Sequence, residues 1–191
     1  MATQDSRIKI KRSTITATVP TVPSSNDHTD GTWIATDIYK GELFFNQADG
    51  VLWSRDDNGV TCLGGSASLT IASADVLTLN TKPIEIIAAP GVGYAIEVIS
   101  TSVYIDFNTT PYATNIQLQV FNLGASKPLF AQNILDASVA TRRFLTKQAA
   151  TLATDTQILE NASLQVSVKT GDPTAGDSDI TIYVTYRIIT L

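Results

Sequence analysis

The run DITIYVTYRIITL, residues 179–191, alternates apolar and polar side chains almost to the end of the chain. Side chains two positions apart lie on the same face of a strand, so this alternation predicts a strand with one buried and one solvated face. The apolar face holds Ile180, Ile182, Val184, Tyr186 and Ile188, and the polar face holds Thr181, Tyr183, Thr185 and Arg187. The run ASLQVSVKTG, residues 162–171, alternates similarly, and GDPTAGDSD, residues 171–179, is expected to join the two as a hairpin loop.

Five more strand-like runs precede this pair, with turns rich in Gly, Pro and Asn between them. They are KPIEIIAAP (82–90), GYAIEVIS (93–100), TSVYIDFN (101–108), TNIQLQVFN (114–122) and KPLFAQNIL (127–135). Short half-apolar strands at this spacing predict an antiparallel, jelly-roll-like β-sandwich over residues 76–191. Residues 136–156 fit either a short helix or another strand pair.

A second group of strands is predicted in GELFFNQADGVLWSRDDNGVTCLG, residues 41–64. Asp49-Gly50 and Asn58-Gly59 are strong two-residue turn signals, so the stretch reads as a β-meander of three short strands. Such a small sheet is marginal alone in water, and nothing nearby in the sequence covers its large side chains. We therefore expect another surface to cover a set of stem residues, namely Leu43, Phe44, Phe45 and Trp53.

Glycine and serine dominate the stretch that follows the meander, Gly64-Gly65-Ser66-Ala67-Ser68. This composition is typical of a flexible connection, so residues 66–75 are predicted to be a linker. The full expectation is an all-β chain with an extended arm (1–25), a small β-meander stem (26–65), the linker and the sandwich (76–191).

Composition and charge exclude several classes of function. The 191 residues carry a formal net charge of −5, which gives no general attraction to nucleic acid or to an anionic membrane. No apolar run approaches the length of a membrane span, and the first residues have no apolar core typical of a signal peptide. The one cysteine, Cys62, cannot form an internal disulfide. We expect a chain made and assembled in a cytoplasm.

The first twelve residues are basic, whereas the rest of the chain is acidic. A set of alternating cations and isoleucines forms this segment, namely Arg7, Ile8, Lys9, Ile10, Lys11 and Arg12. Pro20 and Pro23 then favour extended backbone. Charge alone favours a solvated terminus, although a basic arm before an acidic body is also typical of a tail that meets an acidic partner.

Few residues suggest catalysis or metal binding. The only histidine, His28, lies between Asp27 and Asp30 without the spaced ligands of a zinc or iron centre, so an exposed polar turn is favoured. A calcium loop is conceivable at the three carboxylates of one loop, Asp172, Asp177 and Asp179, but their spacing is not that of an EF-hand and a plain turn is favoured. We expect no metal, cofactor or catalytic residue.

Three further features have both a structural and a functional interpretation. The lone GxG at Gly91 and Gly93 is followed by no helix signal, so a tight turn is favoured over a phosphate loop. Glu97 and Asp106, expected on neighbouring strands, could be imagined as a glycosidase pair, but strand carboxylates usually mark the solvent face. Exposed tyrosines could stack on a sugar or could be interface or core residues; they are Tyr94, Tyr104 and Tyr183.

Two stretches resemble proteins of tailed-phage particles. The run KIKRSTITATVPTVPSSNDHTDGTWIATDIYKGELFFNQADGVLWSRDDNG is similar to the N-terminal segment of phage fibre and appendage proteins. The matching elements are the basic Ile10–Ser13, the stretch Pro20–Pro23 and the element Gly41–Arg55. The second half resembles small β-sandwich virion proteins through Ala89–Ile96, Leu159–Asn161, the loop from Gly171-Asp172 to Gly176-Asp177, and Val184–Tyr186.

The resemblance implies a structural place in a virion rather than a reaction. Such proteins are commonly homotrimers, so the stem residues are expected to pack around a threefold axis and residues 7–12 to dock on a capsid or other virion protein. Most tail fibres continue much further, and we therefore expect a head fibre or capsid decoration. Two alternatives remain open: a tail-associated module that binds a receptor or surface glycan, and an enzyme such as a glycan depolymerase.

Overall fold

The computed structural model describes residues 10–25, 29–57 and 59–191, and their secondary structure is almost entirely β. The strands are β1 (Lys11–Ser13), β2 (Leu43–Asn46), β3 (Val51–Asp56), β4 (Gly59–Ile71), β5 (Ile84–Ile87), β6 (Tyr94–Asp106), β7 (Gln117–Asn122), β8 (Phe130–Asn133), β9 (Thr141–Phe144), β10 (Thr146–Lys147), β11 (Leu164–Val168) and β12 (Asp179–Thr190). One short helix, α1 (Ser73–Val76), follows β4. The predicted all-β class is confirmed. The chain divides into two units, Met1–Leu63 and Gly64–Leu191.

The N-terminal unit is built on the hairpin of β2 and β3. The two strands pair antiparallel, but residues 47–50 join them, so the connection has four residues and not the two expected at Asp49-Gly50. Gly50 has a positive φ of 65° and Asp49 does not, whereas a two-residue turn of the expected type needs a positive φ at both. β1 adds to β2 in parallel, and β4 follows β3 in the sheet order. The three strands predicted for the meander are therefore present, although Asn58 of the second turn lies outside the described residues.

The predicted linker at residues 66–75 is wrong. Residues 65–71 belong to β4 and pair antiparallel with β12 from Gly65↔Tyr186 to Ile71↔Ile180, and residues 73–76 form α1. Glycine and serine suggested flexibility, but from Ala67 to Ile71 the side chains alternate as in a strand. The small side chains of this part of β4 lie beside the bulkier side chains of its paired strand, β12.

The C-terminal unit is a sandwich of two antiparallel sheets. One sheet contains the second part of β4 followed by β12, β6 and β9, and the other has the order β10-β8-β7-β11-β5. Buried apolar side chains come from both sheets, and several are fully buried: Ile96, Val103, Leu118, Val120, Leu164, Val166, Ile180 and Ile182. Burial along β12 alternates from Ile180 to Tyr186, as its sequence predicts.

Two predicted strands form one. GYAIEVIS and TSVYIDFN together form β6, a strand of 13 residues that pairs with β12 along its whole length. The expected division between Ser100 and Thr101 is absent, because Thr101 is buried opposite Val184 and continues the strand. A shift in register leaves Ile99 between the paired residues Val98 and Ser100. This irregularity changes which side chains face inward without ending the strand.

Two connections also differ from expectation. β11 and β12 do not form a hairpin, because they belong to different sheets, and the loop at residues 169–178 crosses between these sheets. Residues 136–156 contain no helix; they supply β9 to one sheet and β10 to the other. Alternation within each strand indicates a buried face but says nothing about which sheet contributes it, so the sequence could not reveal either crossing.

Candidate functional site

The basic segment is partly fastened to its own unit. In β1, the Lys11 ammonium donates a hydrogen bond to the backbone carbonyl of Asp37 and lies 3.9 Å from the Glu42 carboxylate. It also lies 5.8 Å from the ring centroid of Trp33, within the range of a cation–π interaction. Lys11 therefore serves the fold of its own chain, contrary to its predicted place on an exposed docking face.

Among the other residues of the predicted docking arm, two are exposed and three lie outside the described residues. Arg12 is exposed, and Ile10 is 43% exposed. Arg7, Ile8 and Lys9 lie outside the described residues. β1 is the first strand in the sheet order, so the described strands leave one of its edges without a neighbour. Exposed Arg12 and this open edge are the features that a docking partner could contact.

The segment after β1 is folded onto the N-terminal unit, whereas the sequence predicts an extended arm over residues 1–25. The amide of Asn46 donates hydrogen bonds to the backbone carbonyls of Ile15 and Thr18, each at 3.1 Å. The Asp49 carboxylate accepts a bond of 2.7 Å from the backbone N–H of Ala17. Asn46 and Asp49 thus satisfy backbone groups that would be hydrogen-bonded to water if the segment were extended.

One chain buries two of the four predicted stem residues. Phe44 and Trp53 lie opposite each other on β2 and β3 and are 1% and 2% exposed. The prediction that another copy must cover them is therefore wrong, because they are already buried in a single chain. Leu43 is half-buried and Phe45 is 36% exposed, so Phe45 is the stem residue most available for an intermolecular contact.

The carboxylates considered as calcium ligands accept hydrogen bonds that hold loops in place. Asp172 accepts hydrogen bonds from the backbone N–H groups of Asn80 and Thr81, at 2.8 and 3.1 Å. Asp179 accepts one of 2.8 Å from the N–H of Ser73. Within residues 10–25, 29–57 and 59–191, no group of three His, Cys, Asp or Glu side chains is placed to hold a metal ion.

Asp177 joins the loop at 169–178 to the loop at 107–116. It accepts hydrogen bonds from the Thr109 hydroxyl, the Thr110 N–H at 2.9 Å and the Thr109 N–H at 3.1 Å. The Thr109 hydroxyl and the Thr110 amide hold the pKa of Asp177 below its ordinary value. The charged form of this side chain is therefore the form that the loop requires.

A buried tyrosine completes this junction. Tyr112 is 2% exposed, and its hydroxyl donates a hydrogen bond to the backbone carbonyl of Ser178. Burial raises the pKa of Tyr112, and the charges of Asp179 and Asp177 raise it further. Gly176 has a φ of 119°, and a Cβ there would lie 2.2 Å from the Tyr112 ring. Only glycine permits this close approach.

The remaining candidates from the sequence are separated or have structural partners. Glu97 and Asp106 lie on the same strand, β6, and nine positions at about 3.3 Å each place them about 30 Å apart, too far for a glycosidase pair. Glu97 forms an ion pair with Arg187. Gly91 and Gly93 lie in a turn and have positive φ values of 103° and 84°. Asp27 and His28 lie outside the described residues.

Two of the three predicted tyrosines come together on the outer face of the sandwich, and an arginine joins them. The Arg142 guanidinium lies 4.6 Å from the ring centroid of Tyr183 and 5.9 Å from that of Tyr104. Tyr94 lies at the opposite end of β6 from Tyr104. Sequence reasoning missed Arg142, although TRRFLTK, residues 141–147, is a dense basic run without a carboxylate.

The described helix is far too short to cross a membrane: α1 has four residues, and no described helix meets the length and apolar character of a span.

Comparisons with known proteins add little to this picture. No family model matches the chain, and no curated protein matches its sequence. One solved structure with a similar course of the chain is titled "Cyanophage Pam1 capsid asymmetric unit". The similarity has a TM-score of 0.44 and 14% sequence identity, and it covers 87% of this chain and 99% of that one. A TM-score of this size does not establish a shared fold.

Proposed function

We propose that this chain is a structural protein of a tailed-phage virion, a head fibre or capsid decoration that docks through its N-terminal unit. The observation that carries the proposal is the resemblance of residues 9–59 to the N-terminal segment of phage appendage proteins. The same stretch falls within a unit of its own, Met1–Leu63, which is distinct from the sandwich. A segment shared among appendages and folded separately is suited to a common task such as attachment.

The proposed docking surface is the open edge of β1 together with its exposed cation. A strand at a sheet edge can pair with a strand of another protein, which gives affinity through backbone hydrogen bonds. Arg12 is exposed on this strand, and its charge favours a partner that carries carboxylates. Arg7 and Lys9 add two further charges at neighbouring positions in the sequence. Lys11 is left out of this surface because it contacts Asp37 and Glu42 of its own unit.

Trimer formation is part of the proposal, and exposed apolar side chains of the N-terminal unit support it. This unit spans a third of the chain, yet it carries seven of the sixteen exposed large hydrophobic side chains of the described residues. They are Ile10, Ile15, Val22, Ile34, Tyr39, Phe45 and Leu63. We propose that these side chains form the contact between copies, since apolar patches on a surface mark sites of association. The same unit would thus serve both trimer formation and docking.

No reaction is part of this proposal. The carboxylates that could have suggested one accept hydrogen bonds from backbone groups or pair with a cation of the same unit: Asp172, Asp177, Asp179 and Glu97. We accordingly propose a structural protein without a cofactor.

The test is to add the purified chain to particles from phage that lack its gene and to measure the bound fraction by co-sedimentation. We expect saturable binding that weakens as salt increases, because exposed charges contribute to it. Arg12→Gln should weaken binding about two- to tenfold, whereas Lys169→Gln removes an exposed cation of the sandwich and should have no effect. Failure of the unaltered chain to sediment with particles would overturn the proposal.

A further inference from the structure

One edge of the sandwich is basic, although the chain as a whole has a net negative charge. Between Asp136 and Asp155 there is no carboxylate, but Arg142, Arg143 and Lys147 supply three positive charges. In the part of the chain that the structure describes, none of these three side chains forms an ion pair or a hydrogen bond. We call residues 141–147 the basic edge. Its unneutralised charges favour an anionic partner.

The basic edge is held firmly in place at the margin of both sheets. β9 is the last strand of one sheet, and β10 is the last strand of the other. Leu145, between them, is 4% exposed, and its backbone N–H donates a hydrogen bond of 2.9 Å to the carbonyl of Thr101. A buried anchor between two paired strands supports the charged side chains on a rigid element, as recognition requires.

Two tyrosine rings lie beside the guanidinium of Arg142. Arg142 lies opposite Tyr104 in the pairing of β9 with β6, and its guanidinium lies against the rings of Tyr104 and Tyr183. Cation–π contacts of this kind limit the freedom of the guanidinium group. The N–H edge of the guanidinium stays available, and that edge bonds carboxylates in a bidentate manner.

Two exposed aromatic rings flank this arginine on the outer face. Phe144 is 74% exposed and Tyr183 is 36% exposed, and both lie opposite Ser102, one on either side of it. Neighbouring strands lie about 4.8 Å apart, so the backbone positions of Phe144 and Tyr183 are about 10 Å apart, a span comparable to one disaccharide. Small hydroxyl side chains surround them, including Ser68, Ser100 and Thr181.

This combination favours a sugar polymer over a protein surface. Stable protein interfaces have a buried apolar core, whereas this face has separate rings among hydroxyl groups. A sugar ring presents C–H groups to an aromatic face and hydroxyls to serine and threonine. Asp106 and Asp179 lie opposite each other on neighbouring strands at one end of the same sheet, and their negative charges would repel an anionic polymer. Such a polymer would therefore lie towards Phe144 and Lys147.

We propose that the basic edge and the adjoining outer face bind an acidic polysaccharide, one that carries carboxylates on its sugar rings. A carboxylate pairs with Arg142, and sugar rings stack on Phe144 and Tyr183. The inference goes beyond the proposed function and does not depend on it, because a free protein and a particle-bound one would present the same side chains.

The test measures binding of the full chain to immobilised polygalacturonate and hyaluronate by biolayer interferometry. Methyl-esterified polygalacturonate supplies the same sugar without charge, and polyglutamate supplies the charge without sugar. We expect binding to at least one acidic polysaccharide and much weaker binding to both controls. Arg142→Gln should weaken binding about tenfold, the value of one charge-assisted hydrogen bond. Arg142→Lys should weaken it less, because the charge remains.

Matched substitutions separate this site from general effects. Phe144→Ser should weaken binding several-fold, whereas Val92→Ser replaces a side chain that is 79% exposed elsewhere and should not. Lys169→Gln should likewise leave binding unchanged. The proposal is overturned if neither acidic polysaccharide binds, if polyglutamate binds equally well, or if Arg142→Gln and Lys169→Gln have equal effects.

Discussion

Individual polar side chains in the sandwich core limit its stability. Thr101 is 1% exposed, and its hydroxyl has no hydrogen-bond partner among the described residues; the same holds for both polar atoms of the Asn122 amide. Burying a polar group without a partner costs about 1–3 kcal/mol. Sequence alone does not reveal this burial, since the serines on either side of Thr101 are typical of a solvated segment.

Replacing Thr101 with valine should stabilise the protein. Valine keeps the branched shape of threonine and removes only the unpaired hydroxyl, so we expect an increase of about 1 kcal/mol in the free energy of unfolding. Urea denaturation followed by circular dichroism measures it. Thr181→Val is the control, because the Thr181 hydroxyl bonds that of Thr70 at 3.0 Å and should not stabilise the fold when removed. A lower midpoint for Thr101→Val would contradict this reading.

At the scale of elements, local pattern predicted some strands and misled about others. β12 and β11 were predictable because strict alternation gives a strand one buried face. The second part of β4, from Gly65 to Ile71, was missed because its small side chains resemble a linker, and its strand partner β12 is more than a hundred residues away in sequence. The inward role of Lys11 was equally hidden, since its acceptor on Asp37 lies 26 positions away.

The loops that join the strands should make the fold sensitive to acid. Hydrogen bonds hold the pKa of Asp177 below its unfolded value, and those from Leu152 and Thr151 do the same for Asp155. A lowered pKa stabilises the fold above the unfolded value, near about 4, and this contribution disappears as the pH falls through the folded pKa. We therefore expect the melting temperature to be constant from neutral pH to about pH 5 and to fall below about pH 4.

Substitution of one loop carboxylate tests this explanation. Asp177→Asn should lower the melting temperature at pH 7 and reduce the further loss between pH 5 and pH 3, because one titrating group is gone. Asp136→Asn is the control, since this side chain is exposed and fastens no loop in the described structure. Equal acid sensitivity of Asp177→Asn and the unaltered protein would show that other groups cause the loss.

The whole molecule is expected to associate with copies of itself. The aromatic meander suggested a sheet that another copy must cover, but Phe44 and Trp53 are covered within one chain. The sequence shows that these large apolar side chains should be buried, whereas only the folded structure shows that a single chain buries them. The expectation of a trimer consequently rests on the resemblance to phage appendages and on the exposed apolar side chains of the N-terminal unit.

Two substitutions separate association from folding. Phe45→Ser changes an exposed side chain and should weaken the trimer while leaving the fold intact. Trp53→Ser removes a buried aromatic side chain and should cost about 3–5 kcal/mol of folding stability. Light scattering gives the mass and circular dichroism gives the fold. A monomeric unaltered protein at micromolar concentration would contradict the trimer.

Electron cryo-microscopy of intact particles tests the central claim most directly, because it shows whether the chain is part of a virion and which unit contacts it. We expect density for three copies at each attachment point, with residues 10–63 against the particle surface. That density should be absent from particles that lack the gene. Particles whose density is the same with and without the gene would contradict the claim that this chain is a structural component of the virion.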